Sequence, residues 1–94
     1  MATYYLFGKY SQEALKQISA ERTKKVMKMI KKMGGKVKSM HALLGEKDLV
    51  FIVDLPGAKE AMKASLSLGK STGISFTSSE AISIEDFDKL AKTI

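Results

Sequence analysis

Cysteine and tryptophan are absent from this 94-residue chain, and proline and histidine occur once each. Without cysteine the chain can form neither a disulfide nor a thiolate metal site, which fits a reducing compartment. No run approaches the roughly twenty apolar residues that a membrane-spanning helix requires. Residues 1–7 carry no basic segment of the kind that opens a signal peptide, so we expect a cytoplasmic protein with no membrane partner.

The length predicts a single domain over residues 1–94. A hydrophobic content of 45% argues for a folded chain rather than a disordered one. A domain this short buries a limited fraction of its surface, and association is one way to bury more.

Positive charge is concentrated in one part of the chain. Residues 11–40 carry nine basic and two acidic residues, a net charge of +7, whereas the whole chain carries +6. Such asymmetry is typical either of an anion-binding surface or of a solvated helix face.

A β-hairpin organises the middle of the sequence. Two apolar segments flank Gly45-Glu46-Lys47-Asp48, a polar turn that contains glycine. The second segment, Leu49–Leu55, is apolar at nearly every position, which is typical of a strand covered on both faces.

The remaining pattern predicts further strands and helices around this hairpin. A helix between Ser11 and Gly34 carries Leu15, Ile18, Arg22, Val26, Met29, Ile30 and Met33 on one face. Ser19 offers a second capping oxygen, so this helix can break near Ala20. The predicted elements are strand Thr3–Tyr10, the first helix, strands Lys36–Leu44 and Leu49–Leu55, helix Ala58–Leu68 ended by Gly69, a strand from Ile74, and helix Glu85–Lys92 burying Phe87 with Leu90.

This order predicts an α+β fold of the ferredoxin-like β-α-β-β-α-β type with a short C-terminal helix. Both long helices then lie on one face of a four-stranded antiparallel sheet. The other face has no cover from this chain, although strands one and three are apolar on both sides. We therefore expect a second copy to cover it, in the manner of a dimeric α+β barrel.

The segments 4–11, 34–39, 44–50 and 85–87 resemble, in that order, the GYD-domain family, and the resemblance spans nearly the whole chain. The family's glycine-tyrosine-aspartate element corresponds here to Gly45–Asp48, with Lys47 where the family usually has tyrosine. The resemblance implies a bacterial or archaeal, ferredoxin-like domain without an established function.

The same hairpin is similar to that of the effector-sensing domain of leucine-responsive regulators and of dimeric α+β barrel proteins. That resemblance implies paired sheets in the dimer core and, as in the regulators, a small-molecule site near the hairpin. The chain is too short to add a helix-turn-helix domain.

Candidate site residues fall in two groups. Gly45, Glu46, Asp48 and His41 could hold a small ligand, although turn formation explains Gly45 and Asp48 equally, and packing explains a lone histidine. A second group, predicted to form the interface, consists of Tyr5, Phe7, Phe51 and Met40. A single histidine without cysteine or a carboxylate at ligand spacing predicts no metal site and no cofactor.

The residues thus favour a non-enzymatic, self-associating domain with a small-ligand site at the hairpin. One alternative is a cofactor-free enzyme of the dimeric α+β barrel type, which requires a cavity reaching His41 or Tyr5. The other is nucleic-acid binding through the lysines of the first helix, which we regard as unlikely because lysines without arginine or interleaved aromatics are unspecific.

Overall fold

The computed structural model describes all residues from Met1 to Ile94. Its elements are β1 (Ala2–Tyr10), α1 (Gln12–Lys16), α2 (Ala20–Lys32), β2 (Lys36–Ala42), β3 (Leu49–Leu55), α3 (Ala58–Thr72), β4 (Ile74–Ala81) and α4 (Ile84–Ala91). The strands form one antiparallel sheet in the order β2-β3-β1-β4. The predicted α+β class with a four-stranded antiparallel sheet is confirmed. No helix combines the length and the hydropathy that crossing a membrane requires.

The helical segment after β1 is broken in two, as the position of Ser19 indicated. The Ser11 hydroxyl accepts the Ala14 N–H at 3.0 Å and starts α1. The Ser19 hydroxyl accepts the Arg22 N–H at 3.1 Å and starts α2. Each serine satisfies an amide that the following helix leaves unpaired, so the chain can change direction between the two helices.

The prediction that Gly69 ends the second long helix was wrong. The helix α3 continues to Thr72, and Gly73 ends it with a left-handed φ of 75°. A glycine inside a helix costs only about 1 kcal/mol relative to alanine. The left-handed conformation at the end of a helix is where glycine has its greatest advantage.

A bulge interrupts β2, and the strand is shorter than predicted. The register pairs Val37 with Val53, skips Lys38, and resumes with Ser39 opposite Ile52 and His41 opposite Val50. The extra residue reverses the alternation of side chains, so Val37 and His41 lie on opposite faces. The strand also ends at Ala42 and not at Leu44.

The hydrophobic core lies between the helices and one face of the sheet. Leu6, Val53 and Leu55 of the sheet are fully buried there, against Ile30 of α2 and Leu68 of α3. We call this side the helix-covered face.

The helix α4 does not join this core. Phe87 and Leu90, predicted to be buried together, are 53% and 54% exposed, and no residue of α4 is buried. The prediction was correct about the helix and its apolar stripe, but wrong about burial within this chain.

Candidate functional site

The hairpin loop, predicted as a ligand site, is tied to β1 by hydrogen bonds. Asp48 Oδ2 accepts the Tyr10 N–H at 2.8 Å, and the Asp48 N–H donates to the Gly8 carbonyl at 2.9 Å. The Glu46 carbonyl accepts Lys9 Nζ at 2.9 Å. Gly45 has a φ of 139° with no atom within 4 Å of where a Cβ would lie. Asp48 and Gly45 therefore shape the loop and tie it to the end of β1.

A cavity of about 220 Å³ lies beside this loop, between α2 and the sheet. Eight of its eleven lining residues are hydrophobic. Val26 of α2 and Met40, Leu49 and Phe51 of the sheet form apolar walls. A largely apolar cavity with a few polar groups is typical of a small-molecule site.

The other three lining residues are Arg22, Thr23 and His41, and Tyr10, one of the eight hydrophobic residues, also carries a hydroxyl group. Of the four residues predicted at the ligand site, only His41 lines the cavity; Gly45, Glu46 and Asp48 lie beyond its wall. His41 is itself exposed on β2. His41 pairs with Val50 across β2 and β3, so its side chain lies on the sheet face away from α2, although the residue borders the cavity.

Arg22 is the residue that sequence reasoning did not place in the site. Its Nη1 donates to the Ala14 carbonyl at 2.5 Å, and its guanidinium lies 5.6 Å from the centroid of the Tyr10 ring. The signal in the sequence was an arginine on the apolar face of a helix. Only the position of α2 across the sheet shows that this arginine lines a cavity.

The second sheet face carries large apolar side chains with no helix over them. We call it the open face and define it by Tyr5, Phe7, Val50 and Ile52. The register pairs Tyr5 with Ile52 and Phe7 with Val50, and the Tyr5 and Phe7 rings lie 6.3 Å apart. Val50 is 8% exposed, whereas the other three are half-buried.

The four residues predicted at the interface do not share a surface. Tyr5 and Phe7 lie on the open face. Phe51 is 5% exposed in the core, and Met40 packs against that core. Strand alternation explains the separation, because Phe51 faces the side opposite to Val50 and Ile52.

A groove of about 690 Å³ joins the open face to the start of α4. Tyr5 and Ile52 line one side, and Ile82 and Asp86 line the other. The open face and α4 therefore form one continuous, incompletely buried surface.

One ionisable group on the helix-covered face is perturbed. Burial raises the pKa of Tyr4, whose side chain is 4% exposed. The hydrogen bond that its hydroxyl donates to Glu80 Oε1, at 3.0 Å, raises that pKa further, as do the charges of Glu80 and Glu60. Tyr4 does not line the cavity, so this perturbation is structural.

The titratable side chains form no metal-binding cluster. No group of three or more His, Cys, Asp or Glu residues converges in a way that could hold an ion.

Comparisons with known proteins give one family and one structural relative. The family model described as "GYD domain" matches residues 4–91. No curated protein matches significantly. The crystal structure of the Mycobacterium tuberculosis leucine response regulatory protein (LrpA) superimposes with a TM-score of 0.63 at 11% identity, covering 87% of this chain and 51% of that chain. The chain thus spans about half the length of that regulator, and the likeness shows a shared fold alone.

Proposed function

The chain belongs to the GYD domain family, and from that premise we propose a non-enzymatic domain that pairs with a second copy of itself and holds a small molecule in the cavity beside the β2–β3 loop. The observation that carries this proposal is the open face. Its central side chains are large and apolar, yet no element of the chain packs across them.

The exposure of apolar side chains on the open face supports self-association. Tyr5, Phe7 and Ile52 leave apolar surface in contact with water at the centre of the sheet. Contiguous exposed apolar surface on a small domain is typical of an interaction site. A second copy related by two-fold symmetry covers it with an identical patch, so one surface serves both partners.

The surroundings of the open face have the composition of an interface rim. On β2, Ser39 pairs with Ile52 across the sheet, and on β4, Ser79 and Thr77 pair with Tyr5 and Phe7. Small polar side chains therefore flank an apolar centre on both sides, which is the usual arrangement in protein–protein interfaces. The helix α4 carries a further exposed apolar stripe, formed by Ile84, Phe87 and Leu90.

The cavity supports the ligand-binding part of the proposal. Its walls come from β1, α2, β2, β3 and β4, so the fold preforms the space. The loop that contains Asp48 connects the wall residues Ala42 and Leu49 and is fixed to β1 by hydrogen bonds. A ligand would therefore bind without the entropic cost of ordering a flexible loop.

The test of self-association is the Ile52→Lys variant, measured by size-exclusion chromatography with light scattering. We expect the wild-type chain to have twice the monomer mass, and the variant to have the monomer mass, because a buried unpaired ammonium opposes pairing. The matched control is Met62→Lys, which adds the same charge at a 66% exposed site on α3. A wild-type monomer, or a variant that keeps the wild-type mass, contradicts the proposal.

A cofactor-free enzyme is the second candidate, because the cavity it requires is present and reaches His41. In that mechanism the imidazole serves as general base or acid. We prefer binding, since the His41 side chain lies on the sheet face away from α2 and no carboxylate lines the cavity to orient the ring. Under the binding proposal, His41→Gln abolishes no reaction in a screen of purified protein with candidate substrates. A turnover that disappears in His41→Gln favours the enzyme.

Nucleic-acid binding through α2 stays the least favoured candidate. Lys24, Lys25, Lys28, Lys31 and Lys32 are all exposed. Exposed lysines attract phosphates without selecting a sequence, and such binding weakens steeply with salt. We expect no retention of RNA or DNA by the protein at physiological ionic strength.

A further inference from the structure

We infer that the cavity between α2 and the sheet binds a small organic monocarboxylate, with the carboxylate on Arg22 and the apolar body against Val26, Met40 and Phe51. This inference depends on the proposed ligand-binding function and names the class of ligand.

The first argument is the unneutralised charge of Arg22. The guanidinium is half-buried and lines the cavity. The one ion pair in the structure joins Lys38 to Asp54 at 3.9 Å, so no carboxylate of the chain pairs with Arg22. A partly buried charge without a counterion favours an anionic ligand, and a guanidinium suits a carboxylate because it can donate two parallel hydrogen bonds.

The structural role of Arg22 leaves most of its donors free. One N–H of Nη1 binds the Ala14 carbonyl and ties α2 to α1. A guanidinium has five N–H donors. The Tyr10 ring, which also lines the cavity, lies against the same guanidinium and helps to position it. The arginine is thus positioned by the protein before any ligand binds.

Cavity size and composition limit the ligand further. A volume of about 220 Å³ corresponds to roughly seven water molecules of about 30 Å³ each. This space suits the body of a compact acid, and because the cavity is partly open to solvent, a larger ligand would extend out of it. The predominantly hydrophobic walls require an apolar body rather than a sugar.

The cavity wall has no acidic residue, so it favours simple acids over ligands that carry an ammonium group, such as amines and amino acids. None of the eleven lining residues is Asp or Glu. An ammonium group placed there would lie near Arg22 with no counterion, which is unfavourable for like charges in a partly desolvated site. A plain monocarboxylate has no such cost.

The test uses three ligands that share one ring: benzoate, benzamide and benzylamine. Each is titrated into the full-length protein while the side-chain methyl NMR signals of Val26, Met40 and Ile74, all in the cavity wall, are followed. We expect benzoate to shift these signals and to bind roughly tenfold or more tightly than benzamide, as expected for a charge-assisted hydrogen bond. Benzylamine is expected to cause no saturable shift.

Two matched variants test whether the preference for benzoate depends on Arg22. Arg22→Gln removes the charge and is expected to reduce benzoate affinity to that of benzamide, whereas Lys24→Gln, which removes an exposed charge from the same helix, leaves it unchanged. If Arg22→Gln does not fold, the three-ligand comparison on the wild type still decides.

The outcomes distinguish the two proposals. Equal affinity for benzoate and benzamide at these signals overturns the carboxylate inference and leaves ligand binding intact. No shift with any of the three overturns both the inference and the cavity as a ligand site. Self-association is measured separately, by mass, and is untouched by either result.

Discussion

The two faces of the sheet differ in how their apolar side chains are covered. Leu6 on the helix-covered face is 0% exposed, while its neighbours Tyr5 and Phe7 on the same strand are half-buried on the open face. Large apolar side chains lie on both faces of β1 and β3, but the chain supplies helices for only one face. The strands β1 and β3 therefore carry more apolar surface than one copy of the chain can bury.

The same difference appears in backbone packing. A Cβ on Gly8 would lie 2.9 Å from Phe76 Cε1, and a Cβ on Gly35 would lie 2.5 Å from Leu55 Cδ2. Both contacts are on the helix-covered face, where close packing excludes even a methyl group. The half-buried side chains of the open face leave room for a partner.

The largest expected change in the free energy of unfolding comes from a substitution in the core. Leu6→Ala should lower the free energy of unfolding by about 2–5 kcal/mol, because it removes transfer energy and leaves a cavity. Ile52→Ala on the open face, measured by urea denaturation at concentrations low enough to dissociate a dimer, should cost less than half as much. Equal losses at the two positions would show that one copy already covers both faces.

Gly35→Ala gives a smaller effect on the same face. The added methyl group would meet Leu55 Cδ2 at 2.5 Å and the Asp54 carbonyl oxygen at 2.8 Å. We expect destabilisation of about 1–3 kcal/mol from overpacking. Gly57→Ala is the matched control, because the nearest atom there, Glu60 Oε1, is 3.5 Å away and the residue has an extended φ of −177°. Thermal unfolding that ranks the two variants the other way would contradict this packing.

The smallest expected effect is on the pH dependence of stability at alkaline pH. The pKa of Tyr4 is raised by burial and by Glu80, so the folded state holds the phenol proton more tightly than the unfolded state, where the pKa is about 10. This contribution to stability is fully present below that pH and is lost as the pH rises through the folded-state value. Tyr4→Phe should therefore lose less stability than the wild type above about pH 10. Tyr5→Phe, on the open face of the same strand, is the control and should follow the wild type.

The sequence was sufficient for the order of the elements and the division of the sheet into two faces. Alternation in β1 and β3 and the capping serines Ser11 and Ser19 are local signals, and local structure follows them. The bulge at Lys38 was not predictable, because one skipped residue reverses a strand's alternation without a distinctive local sequence.

The candidate site was less predictable than the fold. Gly45 and Asp48 were visible as turn residues, but the cavity forms only when α2 crosses the sheet near Met40 and Phe51. Arg22 was visible as an arginine on an apolar face, without any indication that it lacks a counterion. The exposure of α4 was also not predictable, because amphipathicity shows that a helix needs a partner and not where the partner is.

The most direct test of the central claim is an isotope-filtered NOE experiment on an equimolar mixture of labelled and unlabelled wild-type protein. It detects contacts between copies and none within a copy. Pairing through the open face predicts intermolecular contacts from Tyr5, Phe7 and Ile52, and none from the core residues Leu6 and Val53. A spectrum without contacts from the open face, at concentrations where the protein has the mass of a dimer, would contradict the account.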